Sequence, residues 1–167
     1  FLSFIFLMAV GSSACGHDSD TPTPPSPQPP TPTTSQPKPR YLWIDAPANF
    51  SRFADSKENI REDLQKAKDA GITDIVVDVR PYTGDILFAS THGDAVKQLD
   101  YWEGTSYKYY SRTATWDYLQ AFIDIGHETG LRVNAAFNTF VGGCMNNYGL
   151  GGQGMLFRNK GRKSWAS

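Results

Sequence analysis

The sequence predicts an α/β fold of parallel strands joined by helical crossovers. Two observations carry this. From Tyr41 onward, short apolar runs alternate with helix-period segments in the order strand, helix, strand, helix, strand. The middle run, Ile72 to Val79 (ITDIVVDV), is β-branched and nearly continuous, as a parallel strand buried on both faces should be.

Each element has its own signal. Tyr41-Leu-Trp-Ile-Asp45 is a short apolar strand. Asp55 or Ser56 can cap a helix, and Glu58, three residues after Asp55, completes a capping box. Ile60, Leu64 and Ala67 recur at helical spacing, and Gly71 supplies the stop. Pro81 ends the second strand. Residues 82–113 form a long aromatic, Gly-containing excursion. Ala114 to Thr129 is a second helix with Tyr118, Phe122 and Ile125 on one face, stopped by Gly130. Leu131 to Phe140 is the third strand. Two architectures fit this order, a doubly wound sheet and a (β/α)8 barrel. A barrel takes about 250 residues. With three strands and a Gly-rich stretch before Ser167, the expectation is a chain cut short at both ends.

Composition excludes several functions. The 167 residues carry a net charge of −1, without the basic excess of a duplex nucleic-acid binder. Two cysteines, Cys15 and Cys144, exclude a disulfide-rich scaffold and a multi-cysteine zinc site. His17, His92 and His127 lack metal-ligand spacing, so no metal and no cofactor is expected. His127 reads as a structural histidine and Cys144 as a free loop thiol. Gly149-Leu-Gly151-Gly152-Gln-Gly154 fits G-x-G-x-x-G but neither closes a strand nor opens a helix, so it reads as a flexible loop.

The first 40 residues read as an address. Phe1 to Val10 has the length of a signal-peptide h-region and is too short to span a bilayer. Gly-Ser-Ser-Ala-Cys follows, the ending of a bacterial lipoprotein signal, which makes residues 1–15 the signal and Cys15 the lipidation site. The acidic Gly-His-Asp-Ser-Asp after it resembles the surface-export signal of Bacteroidetes lipoproteins. Residues 16–40 hold nine of the 11 prolines and form a Pro/Thr-rich disordered linker that cannot bury apolar surface. The expected location is the cell envelope: an outer membrane reached through a lipid anchor only, with the domain exposed at the surface.

Parallel α/β folds place their sites at the carboxyl ends of strands. By the two-residue period, Trp43 and Asp45 share a face, as do Val76, Asp78 and Arg80, and Asn134, Ala136 and Asn138. Val77, Val79, Val133, Ala135 and Phe137 fall on the other, helix-covered face. Asp45, Asp78, Arg80 and Asn138 would then converge on one mouth, with Asp85 brought near it by the turn Thr83-Gly84-Asp85. Carboxylates accept from sugar hydroxyls, Arg and Asn donate to sugar oxygens, and Trp or Tyr rings stack on pyranose faces. The plainer reading of the same residues is an Asp78–Arg80 or Asp45–Arg80 ion pair that satisfies buried charge. Tyr101, Trp102, Tyr107, Tyr109 and Tyr110 suit a polysaccharide rim, although packing of the long excursion explains most of them.

Several blocks carry a family resemblance. Tyr41-Leu-Trp-Ile-Asp45, Ala67-Lys-Asp-Ala-Gly71, Val76-Val-Asp78-Val-Arg80-Pro81 with Gly84-Asp85-Ile-Leu-Phe88, and Ala121 to Asn138 resemble the start of the glycosyl-hydrolase-like family ten domain. Asn134 and Ala136 depart from it, since such proteins often carry His and Trp there. The resemblance implies that residues 41–167 are the N-terminal part, about three βα units, of a (β/α)8 TIM-type barrel. It implies a surface lipoprotein glycoside hydrolase acting on poly- or oligosaccharides. The two catalytic carboxyls would come from the fourth and later strands, beyond Ser167, and Asp45, Asp78 and Arg80 would position substrate or tune charge. The alternative is a glycan-binding lipoprotein without catalysis on a degenerate barrel, working with glycan-uptake partners.

Overall fold

The structure is a computed structural model, and it describes residues 38–146 and 151–155. The signal, Cys15 and nearly all of the Pro-rich tract lie outside the described residues. The carbonyl of Arg40 accepts the N–H groups of Thr73 (3.0 Å) and Asp74 (3.1 Å).

The fold is mixed α/β. A three-stranded parallel sheet runs in the order β1 (Tyr41–Ile44), β2 (Asp74–Arg80), β5 (Arg132–Phe137). The three described strands of this sheet lie side by side in chain order. Helix α2 (Lys57–Asp69) leads from β1 to β2, and α3 (Tyr118–Glu128) leads into β5. Both helices cover the sheet face that carries Ile75 and Val133. A side chain at Gly126 of α3 would run into Val133 and approach Ile75 and Leu64, so only glycine lets α3 sit this close.

The central strand explains the core. Ile75, Val77 and Val79 are fully buried against Leu64, Phe122 and Ile44. The other face of the sheet is more open: Tyr41 and Trp43 are each 59% exposed. Along that face Arg132 holds Asp74 through two hydrogen bonds of 2.6 and 2.7 Å.

Four expectations are corrected. First, a short helix α1 (Ala46–Phe53) follows β1 at once. Asp45 caps it, accepting from the N–H of Ala48 at 2.9 Å, and Pro47 lies in its first turn, where a missing N–H costs nothing. Second, of the two caps expected, Ser56 is the one that starts α2, accepting from Asn59 N–H at 3.1 Å, and not Asp55 of the Asp55–Glu58 capping box. Asp55 instead accepts the N–H groups of Thr113 (2.9 Å) and Ala114 (2.6 Å), tying the approach to α3 onto α1 and α2. Burial pushes the Asp55 carboxyl up, but those two N–H groups outweigh it and hold the acid below its ordinary value. Third, the second helix starts later than its apolar pattern, at the Asp117 cap. Fourth, Ala135 is exposed and Phe137 is 51% exposed, resting on Phe88. A bulge between Asp78 and Arg80 aligns Arg80 with Phe137, so the two-residue alternation breaks there, beyond the Val77–Ala135 pair, which keeps its register.

The aromatic excursion holds an antiparallel hairpin, β3 (Gln98–Trp102) and β4 (Tyr107–Ser111). Gly104, at φ +83° with open space around it, is required by backbone conformation alone. The hairpin packs on α1 through Tyr110, whose ring meets Phe50 edge-on at 6.2 Å. The Gly-rich stretch does not remain a loop: Gly151–Gln153 forms β7, paired antiparallel with β6 (Cys144–Asn146). Among the described residues, no helix is long and apolar enough to cross a membrane.

Candidate functional site

A cleft of about 490 Å3 opens at the carboxyl end of β1, between the first turn of α1 and the β3–β4 hairpin. Its walls are Asp45 on one side, Asp100 on the hairpin, and the rings of Tyr82, Tyr101, Trp102 and Tyr107. Asp100, Trp102 and Tyr107 share one face of the hairpin, because Trp102 pairs with Tyr107 and residues two apart share a face, and Tyr101 lines the cleft from the other face. Trp102 and Tyr107 meet edge-on, with centroids 5.1 Å apart, and remain 58% and 65% exposed.

The two carboxylates sit differently. Asp45 is exposed, in the short connection from β1 to α1, and one of its oxygens is committed to the helix cap. Asp100 is partly buried. Its backbone N–H donates to the hydroxyl of Tyr82 at 3.0 Å, which locks ring to strand. Its Oδ1 is buried with no hydrogen-bond partner among the described residues, and burial pushes its carboxyl above the ordinary aspartate value.

The residues expected to converge are split by the structure. Asp45 lines the cleft, and Asp78 lies behind it, only 5% exposed. Asp78 accepts the N–H groups of Arg80, at 3.3 Å, and of Ala46. Burial raises the Asp78 carboxyl first; the Arg80 N–H opposes this, and the neighbouring Asp45 charge raises it further. Under them both lies the fully buried Tyr118, its hydroxyl without a partner among the described residues. Burial and the Asp78 charge push that phenol well above its usual range.

Arg80 makes no ion pair with Asp78 or Asp45 among the described residues. Its guanidinium donates to the backbone carbonyls of Asn138, Thr139 (3.0 Å) and Val141 (2.6 Å). Asn138 answers by donating its side-chain amide to the Arg80 carbonyl at 3.0 Å. Arg80 and Asn138 therefore clamp the loop after β5 to the end of β2. Asp85 is buried at 6% exposure and lines a separate cavity of about 180 Å3 with Asp94, Lys97 and Gln153. Tight glycine contacts hold that side together: a side chain at Gly154 would strike the Thr83 carbonyl, and one at Gly84 would come within 3.0 Å of the Val141 carbonyl. Cys144 is half-buried; burial and then the charges of Asp100 and Asp85 raise its thiol above the usual value. His127 is exposed in the last turn of α3.

Sequence reasoning missed Asp100 and Tyr82. A signal for Asp100 was present: QLDYW and YKYYS flank a Gly-containing connection of four residues, the pattern of a hairpin. No protein-family model, curated protein or solved structure matches the chain.

Two outcomes test this geometry. Arg80→Ala removes a charged donor from three carbonyls, and should cost about 1.5–3 kcal/mol of stability. Hydrogen exchange should quicken first at residues 138–141; protection left unchanged there would show that the clamp is idle. The second outcome concerns pH. A carboxyl raised above its unfolded value favours the folded state below the unfolded value, and that benefit is lost as pH rises through the folded one. Asp78→Asn removes this loss. Its urea midpoint relative to the wild type should therefore move upward between about pH 4 and pH 7; a downward movement would contradict the raised carboxyl.

Proposed function

We propose that the chain binds a saccharide in the Asp45–Asp100 cleft and supplies that subsite to a glycoside hydrolase built on a (β/α)8 barrel. The observation that carries the reading is the union of two carboxylates and four aromatic rings in one open cleft at a strand's carboxyl end. Carboxylates accept from vicinal hydroxyls. Exposed rings such as Trp102 and Tyr107 offer flat apolar faces to the C–H side of a pyranose. The strand order and the helices over one sheet face support the barrel, in which consecutive βα units stand side by side.

In this reading each residue has a role. Asp45 holds sugar hydroxyls with the oxygen that does not cap α1. Asp78 acts through Asp45, adding negative charge behind it. Arg80 and Asn138 shape the loop after β5 that borders the mouth. Hydrolysis itself takes a general acid and a second carboxyl as nucleophile or base, contributed by later strands of the barrel. A lipid on Cys15 and the Pro-rich tract after it would hold the domain off an outer membrane, facing external glycans. Capture without hydrolysis is the second reading. It is favoured by the scaffold bonds that occupy Asp78, Arg80 and Asn138.

Titrating the chain with neutral oligosaccharides, while measuring newly released reducing ends, separates these readings. Trp102→Ala should weaken binding about tenfold or more, a loss near 1.4 kcal/mol, with the fold intact because the ring is 58% exposed. Full affinity in Trp102→Ala would remove the cleft from consideration. Binding without bond cleavage, in the chain extended through its later strands, would select capture.

A further inference from the structure

The charges around the cleft specify which saccharides it favours. The cleft has two carboxylates in its walls, and none of the residues lining it is Lys, Arg or His. Asp78 lies behind Asp45 and adds to the same field. The cations that could neutralise this field are directed elsewhere. Arg80 has its guanidinium on three backbone carbonyls of the loop after β5. Lys108 is absent from the cleft lining and lies 4.0 Å from the Glu103 carboxylate. Arg112 donates to the carbonyls of Ala54 and Trp116, and its guanidinium carbon lies 4.9 Å from the centroid of the Trp116 ring.

The acceptors also want donors. Asp45 and Asp100 are the charged residues lining the cleft, and a charged donor matches carboxylates best. The rings of Tyr82, Trp102 and Tyr107 around them present negative π faces, which attract a cation. An acidic sugar would meet repulsion here. An N-acetyl group would place an uncharged amide where an ammonium fits.

We infer that the cleft selects saccharides bearing free, protonated amino groups: glucosamine-type units, in preference to their N-acetylated or acidic counterparts. This rests on the saccharide reading of the same cleft. The ammonium sits between Asp45 and Asp100, while the pyranose face lies on Trp102 and Tyr107.

The test uses the full chain and calorimetric titration at pH 6 with four probes: a glucosamine hexamer, its fully N-acetylated form, a galacturonate hexamer and spermidine. The glucosamine hexamer should bind at least tenfold more tightly than the N-acetylated one. That preference should fall several-fold in Asp100→Asn and in Asp45→Asn, the latter keeping its helix cap because asparagine caps as well as aspartate. It should also shrink as salt rises, since the cleft itself is open to solvent. Equal or tighter binding of the N-acetylated hexamer overturns the inference and leaves the saccharide reading standing. A preference undiminished in both folded variants overturns it too. Spermidine binding as tightly as the glucosamine hexamer reduces the effect to bare charge and likewise overturns it. Failure of all three hexamers removes the saccharide reading itself.

Discussion

The buried stripe of β2 is the constraint on which the remainder depends. Ile75, Val77 and Val79 have no exposed surface. They can stay so only while α2 and α3 cover one face and β1 and β5 flank the edges. Burial of this kind is the main driving term in folding, and it is non-directional. Direction comes from the backbone. Parallel pairing aligns Trp43, Val76 and Asn134 in one row, and so fixes where each strand ends and which side chain it delivers there. Gly126 belongs to the same constraint, because its missing side chain sets the distance between α3 and the sheet.

The polar chemistry at the strand ends then follows from a shortage of partners. Three loop carbonyls after β5 need donors, and Arg80 satisfies all three. Its charge is thereby turned away from Asp78 and Asp45. Asp78 survives buried because two backbone N–H groups face it, not because a cation does. The mouth is left with a negative field, and the hairpin adds Asp100 to it. One structural commitment, a guanidinium that holds a loop, thus decides the electrostatic character of a cleft lined by other residues.

Helix α1 and the hairpin build that cleft between them. Asp45 serves both, as the cap that starts α1 and as a wall of the opening. Phe50 and Tyr110 join the two elements edge to face. Asp55 secures the chain beyond the hairpin by accepting Thr113 and Ala114 N–H groups. The cleft is therefore held by elements that pack on each other, although one of its walls is a connection that reads as irregular in the sequence.

The sequence by itself determined the α/β alternation, the three parallel strands, the two crossover helices and their buried faces. These are local properties: a β-branched run, an apolar repeat such as Ile60, Leu64 and Ala67, and stops at Gly71 and Gly130, both of which adopt positive φ. It also placed Asp45 at a strand end, since strand length is local. It did not show α1, because Ala-Pro-Ala-Asn is too short a pattern to announce a helix whose stability comes from packing Phe50 and Phe53. Tertiary structure alone decided the partners of Arg80, Asn138 and Asp85. A bulge at Asp78–Arg80 shifted the register, and a shift of one residue reverses every face assignment after it. It alone also brought Asp100 to Asp45 across 55 residues, because side chains so distant in sequence meet only through the docking of a hairpin on a helix.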